Sequence, residues 1–146
     1  MTLSLRLRSF SLVALAIGLS ACGSSSPIAP DQSNIPYTQT DLTLGTGATA
    51  NPGNTVTVNE SAWLYSDTAV DHKGTQFDAE SFTFVLGSGQ LIAGFDKGVT
   101  GMQVGGTRRL IIPPALAYGI TGSSNGSVTI PPNAALVFDV SLLLVQ

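Results

Sequence analysis

The side chains able to do covalent or metal chemistry are few and scattered. The 146-residue sequence holds one Cys, Cys22, and one His, His72. A single Cys excludes an internal disulfide, and a lone His without a Cys cluster lacks the usual ligands of a zinc site, so no metal is expected. No paired acid and base and no activated nucleophile stand out, and no cofactor is expected. Gly45-x-Gly47-x-x-Ala50 superficially matches a dinucleotide fingerprint. Asn51-Pro52-Gly53 follows at once, however, and breaks the helix that such a motif must open. His72 sits in the polar run Asp71-His72-Lys73-Gly74 and reads as a solvated loop residue. Two residues are less ordinary. Tyr118, an aromatic with a polar tip, lies in a long Gly-bounded loop and suits a binding surface better than a core. Glu60 falls on the same face as Val56, Val58, Ala62 and Leu64 in an alternating segment, a carboxylate on a mostly apolar face.

Those residues must be positioned by one modest domain. Hydrophobic residues make up 43% of the chain, enough for a core, while 16 Gly and 8 Pro favour a turn-rich, mainly β chain. Only 10% of residues are charged, against roughly 25% in ordinary soluble domains. With 6 Lys+Arg against 9 Asp+Glu the net charge is -3. The few cations are scattered, so no basic surface is available for nucleic acid.

Residues 1–21 differ from the rest. Arg6 and Arg8 precede the almost wholly apolar run Phe10 to Leu19, the charged and apolar regions of a secretion signal. That run is too short to cross a hydrocarbon core, which needs about 20 helical residues. It ends at Leu19-Ser20-Ala21-Cys22, which resembles the lipobox of bacterial lipoproteins. The resemblance implies diacylation of Cys22 and cleavage just before it. Two or three acyl chains would anchor the chain on a membrane, where one is marginal. Gly23 replaces the Asp familiar as an inner-membrane retention signal, so the outer membrane, facing the periplasm, is the implied destination. Loss of residues 1–21 removes two Arg, leaving 4 cations against 9 anions, a net charge of -5. Residues 22–40 form the anchored, Ser/Pro-rich linker, expected to be an extended tether. The folded domain is expected over 41–146.

Within it, Leu42 and Leu44 suggest a short strand closed by Gly45-Thr46-Gly47. Thr55 to Leu64 is a strand by alternation, Tyr65 to Gln76 a polar loop or bulge, and Phe82 to Leu86 a second strand ended by Gly87-Ser88-Gly89. Ile92, Phe95 and Val99, with Leu91 adjacent, mark one short amphipathic helix. Thr107 to Ile112 and Ala135 to Val145 complete the sheet; in the latter Leu136, Phe138, Val140, Leu142 and Leu144 alternate. Pro113 to Pro132 is a long loop rich in Gly, Ser and Pro, and a loop of that length is usually functional. The sum is an α+β fold, an antiparallel sheet wrapped over one short helix.

Five separated blocks now agree in order and spacing with a known family. They are the VTV of Val56 to Val58; Gly74-Thr75-Gln76-Phe77-Asp78; FTFVLGSGQLIAGFDKGVTGMQVGG from Phe82 to Gly106; RRLIIPPALAYG from Arg108 to Gly119; and IPPNAALVFDVSLL from Ile130 to Leu143. Together they resemble the FKBP-type peptidyl-prolyl cis-trans isomerase domain across nearly all of 41–146. The resemblance implies a half-barrel, a curved antiparallel β-sheet around one short α-helix. It also implies a shallow aromatic pocket for a prolyl ring, with Asp78, Ile92, Phe95 and Tyr118 in the catalytic set. Phe77, Phe82, Leu91, Ile130 and Phe138 would contact substrate. The Ile92 backbone N–H and the Tyr118 hydroxyl would bind ligand carbonyls. By the same resemblance the partners are proline-containing polypeptides and macrolide inhibitors such as rapamycin. Three departures are visible. Glu60 stands where the family's VxVxYxG pattern has a pocket Tyr, Phe95 where the floor is often Trp, and the segment from Asp78 to Phe82 is too short for the Arg that orders the rim Asp in the best-known members.

Such an enzyme needs no nucleophile. Rotation about Xaa-Pro faces a barrier of roughly 18 to 20 kcal/mol from amide resonance. Water stabilises the dipolar planar state more than the twisted one, so a dry pocket fitted to the twisted imide lowers the barrier. Two arrangements of Glu60 are open. It could approach Asp78, so that burial and repulsion raise the apparent pKa and pocket affinity rises on acidification, or it could turn outward at a bulge. The functional expectation is an envelope prolyl isomerase acting as a monomer. The alternatives are a non-catalytic binding or chaperone module on the same fold, recognising a partner through the Tyr118 loop and the 65–76 loop, and a purely structural lipoprotein.

Overall fold

The computed structural model of the chain describes residues 30–124 and 128–146. The 1–21 leader and residues 22–29 of the proposed linker, Cys22 among them, lie outside the described residues. Within them the strands are β1 Thr38–Thr43, β2 Thr55–Tyr65, β3 Lys73–Val85, β4 Thr107–Ile112, β5 Ser123–Ser124, β6 Thr129–Ile130 and β7 Leu136–Val145, with one α-helix, α1, at Ala93–Val99. Five strands form a sheet in the order β1-β4-β7-β2-β3, every neighbour antiparallel. The architecture is the α+β arrangement expected. No described helix is long and apolar enough to cross a membrane.

The inward face is built by strand alternation. On β2, Val56, Val58 and Ala62 are fully buried, and on β7 Leu136, Phe138, Val140 and Leu142 join them. The expected inward Leu144 is instead 45% exposed. Thr57 pairs with Leu144 and Val58 with Leu142, so Leu143 is an extra residue that reverses the alternation beyond it. Val145, now opposite Val56, packs against the core in its place.

The helix lies close on β4 because Gly94 and Gly98 face the strand. A Cβ on Gly94 would run into the Ile112 side chain, and one on Gly98 into Leu110. Arg108 crosses from β4 to hold the helix end, donating through its guanidinium to the Gly98 carbonyl at 2.8 Å and to Asp41 at 2.6 Å.

Three boundaries differ from the sequence reading. The fold begins before residue 41: Gln32 is buried, donates to the Tyr65 carbonyl at 3.1 Å and accepts from the Ala135 N–H at 2.8 Å. Residues 32–40 are therefore fastened to the domain, not a free tether. Second, β3 starts at Lys73, so the polar loop after β2 ends at His72 in a short 3-10 turn. Third, the Pro113 to Pro132 segment carries structure of its own, a 3-10 turn at Pro114–Leu116 and the small β5–β6 ladder.

Candidate functional site

β3 is the strand that shapes the site. Its residues 78, 80 and 82 share one face by the two-residue period, which aims Asp78, Glu80 and Phe82 over the helix. Asp78 pairs with Ala62 but Gln76 pairs with Trp63, leaving Phe77 as an unpaired bulge residue. A bulge lets two consecutive residues serve one side of a sheet. Phe77 and Asp78 accordingly line the same small cavity.

A cavity of about 550 Å³ opens between sheet and helix, lined by Glu60, Asp78, Glu80, Phe82, Gln90, Leu91, Ile92, Phe95, Tyr118 and Phe138. Its floor is aromatic. Phe95 is 2% exposed, and its ring centre lies 5.4 Å from Phe138, 5.9 Å from Phe84 and 6.0 Å from Phe82. The Phe95–Phe138 and Phe84–Phe95 pairs meet edge to face, the arrangement that aromatic quadrupoles favour. A second hollow of about 80 Å³ adjoins it, lined by Phe77, Asp78, Tyr118, Ser123, Val128 and Ile130. Asp78 and Tyr118 line both.

The sequence-predicted residues thus divide. Asp78, Phe82, Leu91, Ile92, Phe95, Tyr118 and Phe138 meet around the larger cavity. Phe77 and Ile130 line the smaller one instead; Phe77 still touches the aromatic floor, its ring edge-on to Phe138 at 6.2 Å. Glu80 and Gln90 were missed. Glu80 sits two residues from Asp78, a signal that counts only once β3 is known to begin at Lys73.

Polar groups at the rim are few. The Ile92 carbonyl accepts from Phe95 and Asp96 as the helix starts, while its own N–H donates to no described residue. The Tyr118 ring is 38% exposed at the mouth. Burial, then the nearby Glu60 and Asp78 carboxylates, raise its hydroxyl above the usual phenol range and keep it a donor.

Glu60 faces inward; the outward turn at a bulge does not occur. It is 7% exposed, pairs with Glu80 on one side and Val140 on the other, and lines the cavity. Carboxylate oxygens of Glu60, Asp78 and Glu80 lie within 4.8 Å of one another. Burial first, and then Asp78 and Glu80, push the Glu60 carboxyl up to about 7. An aromatic trough with a few polar groups at its edge can bind a flat apolar ring and a carbonyl beside it. Among the described residues its lining holds no Ser, Cys, His or Lys.

Residues 46–143 match the family described as FKBP-type peptidyl-prolyl cis-trans isomerase. An FK506-binding protein of Neisseria meningitidis serogroup A is 40% identical over 110 residues, covering 72% of this chain and 92% of that protein. FK506-binding protein 4 of Gibberella zeae is 44% identical over 110 residues, 73% of this chain but 20% of that protein. The chain spans about a quarter of the 46 kDa FK506-binding nuclear protein of Spodoptera frugiperda (24%), to which it is 41% identical. Among solved structures, FkpA from Escherichia coli matches with a TM-score of 0.61 and 34% identity over 79% of this chain and 50% of its own.

Proposed function

Because the chain belongs to the FKBP-type peptidyl-prolyl cis-trans isomerase family, we propose that it catalyses rotation about Xaa-Pro bonds in the aromatic cavity between sheet and helix. The observation that carries the reading is the floor of that cavity, where Phe82, Phe95 and Phe138 converge beneath the Tyr118 rim. A prolyl ring seated on Phe95 leaves water behind. The twisted imide, less dipolar than the planar one, loses less by that transfer, and the barrier falls by the difference. In this reading the Ile92 N–H and the Tyr118 hydroxyl hold the carbonyls flanking the ring, which fixes one end of the peptide while the other turns. Asp78 stands at the rim, on the wall that the two cavities share.

The substrates are proline-containing polypeptides, with macrolides such as rapamycin as competitors; the FK506-binding names of the relatives support this. The Cys22 lipobox further supports a lipid-anchored protein of the bacterial cell envelope, on the outer membrane facing the periplasm, where slow prolyl steps of emerging proteins take tens to hundreds of seconds unaided. A monomer suffices for this site.

A protease-coupled isomerisation assay with a Leu-Pro peptide tests the reading. Turnover suppressed by rapamycin is expected; a folded protein without turnover refutes it. One observation favours a second reading, a binding module without catalysis: the buried Glu60 on the wall makes the cavity less apolar than a prolyl ring prefers. Peptide binding without turnover is its signature.

A further inference from the structure

We propose that Glu60, Asp78 and Glu80 form a cation subsite on the wall of the same cavity, which takes the Arg or Lys side chain of a residue next to the substrate proline. The inference rests on the isomerase reading of that cavity and names the class of peptide it selects.

Three observations carry it. The first is convergence: strands β2 and β3 bring three carboxylates within 4.8 Å. Like charges directly opposite on a ladder destabilise a sheet, so an arrangement such as Glu60 across from Glu80 calls for a counter-charge. The second is that Glu60 is 7% exposed, has no hydrogen-bond partner among the described residues, and is turned into the cavity. No buried side-chain oxygen among the described residues is left without a partner, so the Glu60 oxygens reach the water of the cavity; a ligand that displaces that water must supply a partner in its place.

The third is that the described chain supplies no counter-ion. Its four Lys and Arg residues are all engaged elsewhere: Arg108 with Asp41, Arg109 with Asp71 and Asp139, Lys73 with Asp139 and the Trp63 ring, and Lys97 over the Tyr37 ring. His72 stacks on Tyr65, away from the site.

The rest of the wall decides which cation fits. Phe82, Leu91, Phe95 and Phe138 are apolar. A hard divalent ion would have to complete its six or more oxygens with water held against this apolar wall, whereas a guanidinium or an alkylammonium is served by a few carboxylate oxygens with aromatic and aliphatic surface against its stem and face. The subsite adjoins the prolyl floor, so both can be filled by one peptide.

The test measures equilibrium binding of two peptide pairs, Arg-Pro against citrulline-Pro and Pro-Arg against Pro-citrulline, at low salt with a chelator present. Citrulline keeps the shape and removes the charge. In at least one pair the Arg peptide is expected to bind about tenfold more tightly, as one charge-assisted contact warrants. The ratio should fall toward one at high salt and in Glu60→Gln/Glu80→Gln, whose fold is checked by thermal unfolding. Equal binding of both members of each pair, or no binding of any, overturns the subsite. So does a large rise in melting temperature with calcium or magnesium that displaces the Arg peptide, which would make it a metal site. Turnover of a Leu-Pro peptide, run in parallel, separates the outcomes. Turnover with equal binding sinks the subsite alone, and Arg-selective binding without turnover sinks the isomerase alone.

Discussion

Glu60 on β2 stands directly across the antiparallel ladder from Glu80 on β3, with both carboxylates turned into the aromatic cavity. The groups that face Glu60 are Asp78 and Glu80 from β3 and Tyr118 from the loop, while β7 offers Val140 and Phe138, the helix Phe95, and the residue before the helix Ile92. None of them is cationic.

The first consequence is an unusual pH dependence of stability. The Glu60 carboxyl is raised from 4.5 to about 7 in the folded protein. The folded state therefore holds this proton more tightly than the unfolded chain. The benefit is complete below pH 4.5 and is lost as pH rises through about 7. A shift of this size corresponds to at most about 3 kcal/mol, and solvent at the cavity mouth brings the expectation nearer 2 kcal/mol. Glu60→Gln should thus be about 2 kcal/mol more stable than the parent at about pH 8 and no more stable at about pH 4, by urea unfolding. An equal gain at both pH values would show that the burial of the Glu60 charge, with the repulsion from Asp78 and Glu80 added to it, is not the cause.

The same proton should divide neutral from cationic ligands. Covering a charged Glu60 with an uncharged Leu-Pro peptide strips its remaining water, and covering the protonated form does not. Affinity for the neutral peptide is expected to rise about threefold or more from about pH 8 to about pH 6. That dependence should vanish in Glu60→Gln, measured by peptide titration. A flat profile in the parent would mean that bound peptide does not reach the Glu60 wall.

Tyr118 tests the rim. Its ring lines both cavities and is 38% exposed, so removing only the oxygen leaves packing intact. Tyr118→Phe should lower kcat/KM for an Xaa-Pro peptide by about three- to tenfold, the value of one neutral hydrogen bond. Unfolding should stay within about 0.5 kcal/mol of the parent. Unchanged turnover would place the carbonyl contact elsewhere.

Apolar periodicity was enough to put Phe82 and Phe138 on strands and Ile92 and Phe95 at the helix, but periodicity alone makes them core, and their place in a site came from the family resemblance. What escaped is polar. β3 could not be read back to Lys73, because its first half has no alternating apolar residues and owes its extension to pairing with β2. Glu80 was lost with it. Leu144 was misplaced by a bulge at Leu143, which leaves no composition signal.

Gln32 was read as tether for a related reason: its role lies in hydrogen bonds to residues 33 and 103 positions away, not in any local pattern. It fills a notch between β2 and β7 and satisfies the Ala135 N–H. Gln32→Ala leaves that buried donor bare and should cost about 1–3 kcal/mol in urea unfolding. A neutral result would return residues 32–37 to the linker.

Phe95 gives the strictest test of the aromatic floor, since its two roles can be separated. The ring touches Phe82, Phe84 and Phe138, so Phe95→Ala would open a hole worth about 3–5 kcal/mol and any loss of activity would be ambiguous. Phe95→Leu keeps an apolar side chain of similar bulk and should cost only about 1–2 kcal/mol. What it removes is the flat face on which a prolyl ring lies, and with it part of the surface that excludes water from the twisting imide. We therefore expect Phe95→Leu to stay folded at room temperature while kcat/KM for a Leu-Pro peptide falls by about tenfold or more, with most of the loss in kcat if the face acts on the twisted state. A loss confined to KM would mean that the floor grips planar and twisted prolines alike, and that the barrier is lowered at the rim instead.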